Sequence, residues 1–233
     1  MRYLAAALLG AAIYTALPAS ALDQPVVVEL FTSQSCSSCP PADALLDELS
    51  RSRADILPLG LHVTYWDRLG WRDPFSLAAA TERQRRYAAQ LGTGQIYTPQ
   101  MVVNGRWQAV GSDRAAVLDA VAAAKAHTAA VPPVPIRVTA RGDGLFVEIG
   151  PGRGAATLWL VGFDARHATP VRGGENGGRV LVETNVVRSL SPVAEWRGEA
   201  LGLPLAQPAG QRAAVLLQAE NGRILAAAAL PAR

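Results

Sequence analysis

Apolar positions follow two periods along the chain. Val26, Val27, Val28, Leu30 and Phe31 form a nearly continuous run broken at Glu29, as expected of a central strand covered on both faces. Ala44, Leu45, Leu46 and Leu49 then recur at helical spacing, with Asp43, Asp47 and Glu48 off the stripe or near the helix start. Ile56 to Val63 is a second apolar run. Strand, helix and strand in that order predict a right-handed crossover and a parallel pair. Ser76 to Leu91 reads as a helix whose Arg83, Arg85 and Arg86 form a solvated basic face. Gln100 to Val103 and Arg106 to Val110 flank Asn104-Gly105, a type I′ hairpin signal, and Pro99 stands where a strand tolerates proline. Ser112 or Asp113 caps a last helix to about Ala126, with the stripe Ala116, Leu118, Val121 and Ala122.

At Val131-Pro-Pro-Val-Pro135 the helical period stops, which marks a stiff linker and a domain boundary. Beyond it, Ile136 to Ala140 and Leu145 to Ile149 flank Gly142-Asp143-Gly144, and Ala213 to Ala219 and Arg223 to Leu230 flank Asn221-Gly222. Thr157 to Phe163 and Arg179 to Val187 add strands. The pattern predicts an α/β domain with a helical insertion over residues 22–130, then a small all-β sandwich over residues 131–233. The glycine-rich stretch Arg172 to Arg179 lacks the Lys-Ser/Thr of a phosphate loop; it reads as a mobile hairpin connection, or as an anion site built from its arginines and backbone amides.

Residues 1–21 change the setting. Arg2 precedes an apolar run that ends in Ala19-Ser20-Ala21, the form of a secretory signal with a small-x-small cleavage site. The run is shorter than a spanning helix needs, so a periplasmic or secreted protein without stable membrane insertion is expected. The rest of the 233 residues suffices for two modest domains. The net charge of +3 comes from scattered arginines, with Lys125 the only lysine, so nucleic-acid binding is not expected. His127 and His167 lack partners at metal-ligand spacing and read as surface residues.

The chemistry concentrates in Cys36-Ser37-Ser38-Cys39, which holds the only two cysteines. Pro40 and Pro41 fit only a first helical turn, so the helix begins at this pair. Two intervening residues at a helix start bring the Cα atoms to about the 5.5 Å a disulfide needs. A bridge closing so short a loop restrains little of the unfolded chain, which favours a redox role over a folding staple. The helix amides favour a thiolate at Cys36, and the mechanism requires that sulfur to be reachable from outside. Cys39 then resolves the mixed disulfide. Glu29 either lies in the sheet beneath the cysteines and relays a proton to the second sulfur, or points outward at the strand end. Ser37 and Ser38 with Tyr65, Trp66, Trp71 and Phe75 form a substrate rim, or the aromatics pack beneath a long loop.

The order strand, C-x-x-C helix, strand, helical insert, Thr-Pro, hairpin and helix resembles the thioredoxin superfamily from Pro25 to about His127. That resemblance implies a thioredoxin-like N-terminal domain, a cis Thr98–Pro99 bond against the cysteines, a Thr98 backbone that pairs with bound substrate, and Glu29 as the buried acid. The stretches Phe31 to Asp43, His62 to Asp67, Tyr97 to Gly105 and Asn185 to Arg188 resemble more closely a secreted bacterial thioredoxin-like family of unknown function. Ser35 stands where that family usually has glycine, and Thr64 where it usually has aspartate.

The sequence therefore points to an exported thiol–disulfide oxidoreductase with no cofactor beyond a Cys36–Cys39 disulfide. Its partner would be a protein thiol or disulfide. Two rival readings are a Cu(I)-handling protein with Cys36, Cys39, Met101 and His62 as donors, and a redox-silent binding scaffold whose disulfide stays oxidised.

Overall fold

The computed structural model describes residues 24–230; the expected signal over residues 1–21 lies outside them. The strand β1 (Val26–Thr32) is followed by α1 (Pro40–Ser52), β2 (Ile56–His62), α2 (Ala78–Gln90), β3 (Gln100–Val103), β4 (Trp107–Val110) and α3 (Arg114–Ala129). Seven strands then follow: β5 (Ile136–Arg141), β6 (Gly144–Ile149), β7 (Ala156–Pro170), β8 (Val180–Trp196), β9 (Leu201–Ala206), β10 (Arg212–Ala219) and β11 (Ile224–Ala229). The local expectations hold in several places. β1 and β2 pair in parallel, Asn104 and Gly105 turn with positive φ, Asp113 caps α3 by accepting the Ala116 amide at 3.1 Å, and Thr98–Pro99 is cis. The buried stripe of α3 is Val117, Ala120, Val121 and Ala124, turned from the expected one. Among the described residues no helix is long and apolar enough to cross a membrane.

The expected architecture does not hold. The chain forms neither a thioredoxin-like α/β domain nor a separate β-sandwich. One sheet of eight strands in the order β11-β10-β7-β8-β2-β1-β3-β4 runs through both halves of the sequence. The joint is β8, which lies parallel to β2 at Gly60 opposite Val186. Pro58 has no N–H to offer a ladder there, and the Asn185 side-chain amide instead donates to the Pro58 carbonyl at 2.8 Å. A Cβ at Gly60 would meet the Thr184 carbonyl oxygen at 3.2 Å, so glycine admits the neighbouring backbone. The remaining strands form a small sheet, β5-β6-β9, that packs on the far end of the large one through Val147, Leu158, Trp196 and Leu217.

β7 and β8 extend well beyond the strands expected from the sequence, pairing from Ala156 opposite Trp196 to Pro170 opposite Val180. At Asn185 the backbone turns into the left-handed region (φ 49°), which bends this long ribbon locally while β7 and β8 stay paired on both sides of it. The bent portion lies along α1, where Thr184 Oγ1 and Arg166 Nη1 both reach Asp47, at 2.6 and 2.7 Å.

The two faces of β1 meet different partners. Val26, Val28 and Leu30 pack against α1 and α3, while Val27 and Phe31 pack on the α2 side. Glu29 therefore points to the α2 side, away from α1. There Arg83 donates through Nε and Nη2 to its two carboxylate oxygens at 2.5 and 3.1 Å, and the Tyr87 hydroxyl donates to Oε2 at 2.5 Å. Arg83 also donates to Gln218 Oε1 on β10 at 2.9 Å, so one guanidinium ties strands from the two halves. The expected solvated arginine is 1% exposed, because only tertiary packing reveals the acid beneath it.

Removing one member of a fully buried pair strands the other charge, which costs about 3–5 kcal/mol. Arg83→Met is expected to lose stability on that scale in urea denaturation, and Glu29→Gln combined with Arg83→Met to regain much of it. A loss no greater than that of the exposed Arg85→Met would refute the buried pair.

Candidate functional site

Beyond the end of β1 the chain turns through Ser33, Gln34 and Ser35 into Cys36, and Cys39 caps α1. Cys36 and Cys39 form a disulfide with Cα atoms 5.4 Å apart. The Ala42 and Asp43 amides donate to the Cys39 carbonyl at 2.9 and 3.1 Å, which closes the first helical turn directly after the pair. Ser35 has ordinary negative φ, so the loop needs no glycine there; its hydroxyl donates to the Trp71 carbonyl at 2.8 Å.

The expectation that Cys36 is reachable fails in this conformation. Both cysteines are 0% exposed, although Ser37 and Ser38 between them face solvent. The cover is the 171–179 connection at the tip of the β7–β8 ribbon. Asn176, itself buried, donates through Nδ2 to the carbonyls of Gln34 and Cys36 at 3.0 and 2.9 Å. Glu175 accepts the Ser37 amide at 2.9 Å. The stretch that reads as a mobile hairpin connection is thus seated on the cysteine loop.

Beneath that loop, on the α1 face of the sheet, lies a buried polar cluster. Asp73 Oδ2 accepts the Gln34 amide at 2.8 Å and sits 2.7 Å from His62 Nδ1. Glu183 Oε2 accepts Gln34 Nε2 at 2.8 Å, and its Oε1 is 3.9 Å from His62 Nε2. The Thr32 hydroxyl donates to Asp43 at 2.9 Å. Burial works against a charged His62, but Asp73 above all, then Glu183 and Asp43, outweigh it and raise its pKa to about 9. Burial pushes Asp43 up to about 7 and also raises Glu183. Asp73 is held below the ordinary value against its own burial, chiefly by His62.

The other expected site residues divide into separate groups. Trp71 Nε1 donates to Gln34 Oε1 at 3.0 Å and so joins the cysteine loop. Trp66 Nε1 donates to Thr98 Oγ1 at 2.8 Å, while the Tyr65 hydroxyl turns to Gln84 on α2 at 3.3 Å. Pro99 is buried, and a Cβ at Gly111 would touch both it and Ala42 of α1, which places the cis peptide beside the first turn of that helix. Phe75 packs between His62 and His167. Glu29 is on the opposite face of β1, with its carboxylate held by Arg83 and Tyr87; the acid on the cysteine side is Asp43. Met101 packs in the core with Leu30 and Ala42, and the oxidised pair presents no thiolate beside it. Sequence reasoning passed over Asp43, Asp73, Glu175, Asn176 and Glu183. Only the pair of polar residues set between two Gly-Gly steps, Gly173-Gly-Glu-Asn-Gly-Gly178, was a local signal.

The raised His62 pKa sets a direction for pH dependence. The folded state holds this proton more tightly than the unfolded state, so the stabilisation is full below pH 6.5 and is lost as pH rises through about 9. Asp43 acts in the same direction between 3.8 and about 7. Denaturation of the wild type is expected to show stability falling between pH 6.5 and about 9, and His62→Asn to be flatter over that window. Parallel profiles for the two proteins would refute a charged His62.

A family described as a protein of unknown function, DUF1223, matches residues 27–218. The crystal structure of protein AGR_C_4864 from Agrobacterium tumefaciens is similar, with TM-score 0.77 and 33% identity over 89% of this chain and 94% of that one. HBP35 of Porphyromonas gingivalis shares the fold at TM-score 0.57 and 13% identity, over 89% of this chain and 74% of that chain. No curated protein matches the chain. Its cysteine loop, β8 joint and ribbon all lie inside the matched segment, and the chain belongs to the DUF1223 family of proteins of unknown function.

Proposed function

We propose that the protein exchanges electrons between its Cys36–Cys39 disulfide and a protein thiol or disulfide, and that it does so only when the 171–179 connection lifts. The observation that carries this reading is an oxidised C-x-x-C at the start of α1, set directly over a buried cluster of His62 and three carboxyl groups. A disulfide closing so short a loop contributes little as a staple, and buried titratable clusters are concentrated at functional sites. The cover is thin. Ser37 and Ser38 are already in solvent, and Glu175 reaches the loop from an exposed position.

In the reducing direction a partner thiolate attacks Cys36 Sγ and the Cys36–Cys39 bond breaks, with its electron pair going to Cys39. A second partner thiol then attacks the mixed disulfide and releases Cys36. The partner is left with a disulfide, and the pair has gained two electrons and two protons. The opposite direction runs through the same intermediate, and the partner's potential selects between them. An oxidised pair suits the oxidising compartment to which residues 1–21 would direct the chain.

The complete burial of both sulfurs favours a second reading, a redox-silent protein whose disulfide is never opened. Reduction of the folded protein by dithiothreitol separates the two. Under the gated reading, Glu175→Ala and Asn176→Ala reduce several-fold faster than wild type while global unfolding rates change far less. Cys39→Ala, whose Cys36 is left as a free thiol, then attacks a protein disulfide and holds the mixed disulfide, because no second cysteine is present to displace it. If reduction in every variant proceeds no faster than unfolding, the disulfide is silent and the proposal is wrong.

A further inference from the structure

At the end of the sheet remote from the disulfide, the turns of its two outer hairpins, β3–β4 and β10–β11, meet. Ile224 N–H donates to the Asn104 carbonyl at 3.0 Å. Gly105 (φ 65°) lies so close to Gly222 that any Cβ would collide with that residue's carbonyl. Beside this seam, between the end of α3, the proline-rich 131–134 segment and residues 151–153, is a cavity of about 510 Å³. That size falls within the range of small-molecule sites.

The walls are mainly apolar, with Trp107, Pro132, Pro133, Pro151 and Leu225 among them. The polar end is cationic. Arg223 and His127 line it, and Arg106, outside the lining, reaches the same atom as Arg223: their Nη1 atoms lie 3.4 Å (Arg106) and 3.3 Å (Arg223) from His127 Nε2. Arg106 also stacks on the Trp107 ring at 5.2 Å. Arg153 lines the opposite side. Burial first, then the two guanidiniums, push the His127 pKa down, which leaves a neutral imidazole between permanent cations. Among the described residues no carboxylate pairs with Arg106, Arg153 or Arg223, and no acidic side chain lines the cavity.

Two guanidiniums that converge on one uncharged atom repel each other, and an anion between them would remove that cost. A carboxylate matches their forked donors and accepts two charge-assisted hydrogen bonds from each plane. The adjoining aromatic and proline walls accommodate a flat apolar body of ring size. We propose that this cavity binds a small organic carboxylate with an aromatic or similarly compact apolar body. The carboxylate sits beside His127 at Arg223, with the Arg106 guanidinium adjoining, and the body lies against Trp107. The site is independent of the disulfide and of whatever chemistry occurs there.

The bland alternative is that the arginines serve only the partial negative charge at the C-terminal end of α3. Isothermal titration of the full chain with phenylacetate and indole-3-acetate, and with phenylacetamide as the uncharged counterpart, decides between them. The proposal expects saturable one-to-one binding of the carboxylates that weakens with added salt, and a loss of about tenfold or more for the amide. Arg223→Gln and Arg106→Gln are each expected to weaken carboxylate binding by about tenfold with little change in melting temperature. Trp107→Leu should weaken both carboxylates in step with the size of their rings. No saturable binding at millimolar concentrations would overturn the proposal. So would amide binding equal to that of the acid, or binding unaltered in the Arg106→Gln/Arg223→Gln double variant.

Discussion

The left-handed backbone at Asn185 is the constraint from which the site follows. β8 lies beside β2 for a single bridge, and there its side chain supplies the Pro58 carbonyl with the donor that a strand backbone would ordinarily provide. The residues just before it run along α1, with Thr184 and Arg166 both on Asp47. That path brings Glu183 to Gln34 and His62, and Asn176 to Cys36.

Buried charge sits on both faces of the sheet, and the two clusters differ in kind. On the α2 side, Glu29 is matched by an arginine with a forked geometry and a tyrosine hydroxyl, so its lone pairs are satisfied and the arrangement acts as a fixed tie between halves. On the α1 side, one histidine faces three carboxyl groups, with Asp43 at about 7 and His62 at about 9. A set of groups that cannot all be charged together changes protonation within the ordinary pH range. The titrating cluster is the one beneath the disulfide.

The position of the disulfide reconciles a reactive motif with an oxidised, covered state. The first turn of α1 closes directly behind Cys39, the helix dipole is aimed at the pair, and the covering segment makes only a few hydrogen bonds from outside. Local opening of such a segment requires far less than unfolding, because it exposes little apolar surface.

The sequence alone determined what depends on neighbours along the chain. The apolar run of β1, the two prolines that place the start of α1 at the cysteine pair, the Asn-Gly turns and a cap at Ser112 or Asp113 were all legible, because strand period, fixed φ and capping act over a few residues. The C-x-x-C spacing likewise implied a feasible disulfide. What only the tertiary structure decided was which strands share a sheet, since a strand's side-chain period says which faces are covered and not which strand lies beside it. For that reason Val131 to Pro135 read as a border between folds, while β8 and β2 join across it. Arg83 read as solvated, Asp43 as a helix-end charge and the 172–179 stretch as a free connection for the same reason. Their partners lie from 11 to 142 residues away, and polar pairing at that separation is not written into the local pattern that strand and helix periods read.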